Sequence, residues 1–132
     1  MEKREEILAE YIPAMLFGKY ENTWSGGTKH FEGATLEALE KLLAAGLIDA
    51  EEAQNSSPTV AEFMEVMRSH PSFRAHGYIV SEERDDARTS LEGLSGYVTY
   101  ADFPSVQASL GHADEFNIED DGKGYQVYCW WD

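Results

Sequence analysis

Positive charge is scarce in this sequence. Ten lysines and arginines stand against 25 aspartates and glutamates, a formal net charge of −15 over 132 residues. The deficit is even along the chain. Residues 1–66 hold 13 acids and 5 bases, and residues 67–132 hold 12 and 5. No acidic tail therefore hangs on a neutral body. Phosphate contacts need lysine and arginine, so direct nucleic-acid binding is disfavoured and a basic protein partner is favoured.

Cysteine is nearly absent. Cys129 stands alone, which excludes an internal disulfide and fits a reducing compartment. No apolar run approaches the roughly 18 residues needed to span a bilayer. The first residues, MEKREEILAEYIP, are charged rather than apolar, so no signal peptide and a cytoplasmic location are expected. Asn55-Ser56-Ser57 matches a glycosylation acceptor, which has no meaning without secretion. Sharp catalytic motifs are missing as well. His30, His70, His76 and His112 show no metal-ligand spacing, so no metal or other cofactor is expected. Gly26-Gly27-Thr28-Lys29 lacks the spacing of a phosphate loop, and no Gly-x-Ser-x-Gly elbow occurs. Asn117-x-Glu119-x-Asp121-Gly122 resembles half a calcium loop, but Tyr128 occupies the twelfth position, where a bidentate carboxylate is required.

What remains is pattern. The length suits one domain, residues 1–132. Ile7, Leu8, Tyr11, Ile12, Met15 and Leu16 share a helical face, predicting a helix over Glu2–Phe17. Gly18–Gly33 reads as a long loop because four glycines break any period. Thr35 caps a predicted helix to Ala45 with a Leu36/Leu39/Leu42/Leu43 stripe and Gly46 beyond its end. A short helical turn is expected over Ala50–Gln54. Thr59–Ser69 is a third helix, burying Val60, Phe63, Met64 and Met67.

Phe73–Val98 reads as a β-hairpin around the polar turn Glu82–Asp86, with Val80 facing Arg88. Alternation places Arg74, His76, Tyr78, Arg88, Ser90 and Glu92 on one face, and Phe73, Ala75, Gly77, Ile79, Thr89, Leu91 and Gly93 on the other. In that register His76 faces Glu92. Gly93 and Gly96 suggest a bulge or bend. Helices followed by a hairpin invite a winged-helix reading. The acidic helix Thr59–Ser69 and the tip Glu-Glu-Arg-Asp-Asp argue against it, since both would meet phosphate with net negative charge.

Phe103–Leu110 is a short helix after Asp102. Glu115–Glu119 and Tyr125–Trp131 form a second hairpin through Asp-Gly, pairing Phe116 with Val127 and Ile118 with Tyr125. Cys129 and Trp131 then point inward, and Tyr128 and Trp130 outward. The expected fold class is α+β: three N-terminal helices followed by β-β-α-β-β, a four-stranded antiparallel sheet with helices on one face.

No residue is assigned a catalytic role. The candidate binding residues are His76, Tyr78, Arg88, Glu92, Tyr128 and Trp130, a polar and aromatic set on the outer sheet face. The expected function is a non-enzymatic interaction module of bacterial type that binds a basic protein. One form of it is an inhibitor that mimics nucleic acid, as mobile elements carry. The alternative is a small-molecule enzyme or binder using the His76/Glu92/Arg88 face.

Overall fold

The computed structural model describes residues 28–80 and 88–132. In chain order these form β1 (Thr28–Ala34), α1 (Leu36–Ala44), α2 (Val60–Ser69), β2 (Arg74–Val80), β3 (Arg88–Thr99), α3 (Phe103–Leu110), β4 (Glu115–Asp120) and β5 (Gly124–Trp130). The strands make one antiparallel sheet in the order β1-β2-β3-β5-β4. No helix among the described residues is long and apolar enough to cross a membrane.

The expected fold class needs correction. The architecture is α+β, but the sheet has five strands rather than four, and a strand precedes the first described helix. The extra strand, β1, lies in the stretch read as a loop. Its glycines were the misleading signal. Thr28–Phe31 pairs in register with Val80–Gly77, and the ladder then shifts before Ala34 meets Ala75. Gly33 sits in that shift at φ 76, a conformation glycine adopts without strain. Phe31 and Ala34 are fully buried, so β1 seals one side of the core. The helix expected over Glu2–Phe17 lies outside the described residues.

The helices form for the reasons the sequence offers. In α1 the Thr35 hydroxyl accepts from Ala38 N at 3.1 Å. Its far end closes with Gly46 N donating to Leu43 O and Leu47 N to Leu42 O, the paired bonds of a Schellman motif. Gly46 holds φ 73 there. Thr59 and Glu62 make a reciprocal capping box at the start of α2. Of the short helical turn expected over Ala50–Gln54, only Ala50–Glu51 is a turn, with Glu51 N donating to Asp49 Oδ1 and Glu52 N to the Asp49 carbonyl. Leu39, Leu42, Phe63, Met64 and Met67 pack with Ala75, Ile79, Leu91, Leu94, Cys129 and Trp131 in one core.

Two registers differ from expectation. The β2–β3 ladder begins as expected, Val80 opposite Arg88, and holds to Gly77 opposite Leu91. It then shifts, so His76 faces Gly93 and Glu92 is the extra residue of a bulge. Leu94, which unbroken alternation would put on the polar face two residues after Glu92, thereby joins Ala75 in the core. In the second hairpin, Phe116 faces Cys129 and Ile118 faces Val127, two residues from the expected pairing. The turn is centred on Gly122-Lys123, with Asp121 N donating to Gly124 O. Gly122 takes the first central position at φ 89, where primed turns need positive φ. A shift of two leaves every side chain on its expected face.

Candidate functional site

The bulge at Glu92 organises the polar face. It puts Gly93 beside His76 on that face, and the missing side chain leaves room for the imidazole. A Cβ built on Gly93 would lie 2.8 Å from His76 Nε2. The His76 ring instead stacks on Tyr128, centroids 5.0 Å apart and planes 7° from parallel. His76 is buried at 7% exposure, and Ser90 is fully buried.

Glu92 holds the end of β5 in two ways. Its carbonyl accepts from Trp131 N at 2.8 Å, and its Oε2 accepts from Trp130 Nε1 at 3.1 Å. Its Oε1 lies 3.6 Å from His30 Nδ1, an ion pair when that imidazole is protonated. Burial pushes the Glu92 carboxyl above the usual range, opposed by the Trp130 hydrogen bond and by His30.

The segment before α2 reaches the same face. Ser90 Oγ donates to Glu52 Oε1 at 2.7 Å, and Gln54 Nε2 donates to the Tyr78 hydroxyl. Asn55 Nδ2 donates to the Asp132 carbonyl.

The candidate residues therefore separate. His76 with Tyr128, and Glu92 with Trp130, form two contacting pairs. Tyr78 turns to Gln54 and to the His30 ring, 6.0 Å away. Arg88 is known by its strand position alone, opposite Val80. Arg74 folds back on the turn before β2, donating to Pro71 O and Phe73 O. His76 and Glu92 are not cross-strand partners, because the bulge separates them.

His30, Glu52 and Gln54 belong to this network and were not among the candidate binding residues. His30 carried one usable signal: the alternation His30, Phe31, Glu32, which is strand-like despite the glycines on either side. Nothing local in sequence ties Glu52 or Gln54 to the sheet.

The outer face of β4–β5 has a different character. Trp130 is paired with Glu115, Tyr128 with Asn117, and Gln126 with Glu119. Both aromatics are partly exposed, and the three β4 residues are exposed. Asp102–Asp132 carries seven acids against Lys123, and all seven are exposed. Asp120 accepts from the Tyr100 hydroxyl and from Gly122 N, which holds its carboxyl below the usual range. The same contact raises Tyr100 to about 12. The half-calcium motif is dispersed here, since Asp121 Oδ1 accepts from Lys123 N and Gly124 N in its own turn. Among the described residues, no three His, Cys, Asp or Glu side chains gather as metal ligands would.

An open cleft of about 440 Å³ lies on the helical side, lined by residues including Ser57, Glu62, Glu65, Ser109 and His112. Glu62 is committed to its helix cap and Glu65 to Arg68, at 3.4 Å. None of the candidate binding residues lines it. Comparison with known proteins found no matching family model, and no significantly similar curated protein or solved structure.

Proposed function

We propose that this chain is a non-enzymatic, cytoplasmic interaction module that binds a basic protein through the outer face of β4 and β5. One observation carries the reading. Trp130 and Tyr128, both partly exposed, lie cross-strand from exposed Glu115 and Asn117 in a region with seven acids and one base. Aromatic faces and carboxylates side by side suit lysine and arginine, which are drawn by charge and by the ring quadrupole. A nucleic-acid-mimicking inhibitor is one form of this reading, with its carboxylates in the place of phosphates. A small-molecule site on the His76/Glu92/Arg88 face is the second reading, favoured by the raised pKa of Glu92 beside His30. Against it, His76 is buried beneath a stacked ring.

The test is affinity capture with the wild-type chain and with Glu115→Lys/Glu119→Lys. The expected partner is basic, released by raised salt, and not retained by the variant. Displacement by duplex DNA would select the mimic form. Capture that is indifferent to both salt and charge reversal would end the reading.

A further inference from the structure

The sheet has two edges, and they differ. The β1 edge carries a register shift between Phe31 and Ala34, with Gly33 at φ 76. Such bulges break the row of backbone donors and acceptors that another strand would need. The β4 edge has no such interruption. All six residues, Glu115–Asp120, pair with β5 in unbroken register. Among the described residues, no strand pairs with the other side of β4.

The side chains of β4 alternate in kind. Phe116 and Ile118 share the core face with Cys129 and Val127, and Ile118 is left 46% exposed. Glu115, Asn117 and Glu119 take the opposite face and are all exposed. A second copy of this chain fits this edge badly. Antiparallel self-pairing centred on Asn117 would set Glu115 against Glu119, like charges directly opposed, between two bodies of −15. The same row selects for lysine and arginine.

We infer that the β4 edge takes an extended basic segment of the partner as a sixth strand. Backbone hydrogen bonds along β4 supply the pairing. Apolar residues of the segment cover Ile118 on one face, and the alternate residues, lysine or arginine, meet Glu115 and Glu119 on the other. This deepens the interaction-module reading and rests on it, by specifying how the partner is held.

The probe is a labelled seven-residue peptide alternating Lys and Val, measured against the full chain by fluorescence anisotropy and amide hydrogen exchange. Two further peptides carry N-methyl groups, one on all Lys residues and one on all Val residues. Charge is the same in all three. N–H groups of successive residues point to opposite edges of a strand, so strand pairing makes the two methylated peptides unequal. The expected result is at least a tenfold difference between them, with slowed exchange at β4 amides on binding. Glu119→Lys and Glu119→Gln should each weaken the unmethylated peptide, the first more, while circular dichroism stays unchanged. Equal binding by all three peptides with no β4 protection overturns the added strand but leaves a charge-driven module standing. Absence of any binding at low salt also overturns it, and the capture experiment then judges the module reading separately.

Discussion

The His76 imidazole lies flat on the Tyr128 ring over Gly93, the residue opposite it in the ladder. The arrangement depends on glycine for its space. A Cβ at position 93 would stand 1.9 Å from the Cys129 carbonyl oxygen and 2.8 Å from His76 Nε2. The first is backbone and cannot swing away. Gly93→Ala should therefore destabilise the fold by at least the ~1–3 kcal/mol typical of overpacking. Urea denaturation measures it. A loss well under 1 kcal/mol would mean that β3 and β5 are not held as close as described.

Leu39→Ala and Ile79→Ala should each cost about 2–5 kcal/mol, the range for deleting large core side chains. Leu39 is on α1 and Ile79 on β2, both essentially without exposure. The two changes sample the helix and sheet layers separately. Denaturation midpoints should fall in both. A normal midpoint in either would remove that layer from the core.

Cys129 should be inert in the native state. Burial raises its thiol to about 12, and Sγ sits 3.4 Å from the Leu94 carbonyl. At pH 8 the folded thiolate fraction is then about one in ten thousand, on the order of a thousandfold below that of a free cysteine. Iodoacetamide should label Cys129 only after denaturant is added. Rapid labelling of folded protein would instead mark Cys129 as an accessible, reactive thiol.

Much of this fold can be read from sequence because period and caps are local signals. The Leu36/Leu39/Leu42 stripe after Thr35 identifies α1 without help from the rest of the chain. Each half of the β2–β3 hairpin alternates cleanly, so Val80 meets Arg88 as expected. The bulge at Glu92 escapes for the same reason. One extra residue changes the phase of everything after it, yet each half still alternates. Leu94, in phase with the supposed polar face and with Val80 one of its two apolar exceptions, was the symptom. The β1 strand escapes because the glycines of its stretch are breakers by propensity, yet Gly33 lies within β1, where tertiary pairing with β2 overrides it. Within the polar face, alternation along β5 put Tyr128 and Trp130 on one side, but their contacts with His76 and Glu92 were not visible, and the expected pairing of His76 with Glu92 was undone by the bulge. Glu52 on Ser90 was not visible, since 38 residues separate them and no pattern links the two.

Glu92 should leave a signature in the pH dependence of stability. Its carboxyl is raised above 4.5 chiefly by burial, partly offset by Trp130 and His30. Between the unfolded pKa and the higher folded one, the folded chain binds more protons than the unfolded chain at this site. Stability contributed by Glu92 therefore falls as pH rises through that window, and is regained on acidification. Glu92→Gln removes the titration, while the amide oxygen can still accept from Trp130 Nε1. The variant should thus compare more favourably with wild type at pH 7 than at pH 4. Paired denaturation curves at the two pH values read the sign, and carboxyl NMR titration reads the pKa of Glu92 itself. The opposite sign, with Glu92 titrating below 4.5, would mean that His30 and Trp130 outweigh burial and that this carboxylate serves as a stabilising anchor for β5.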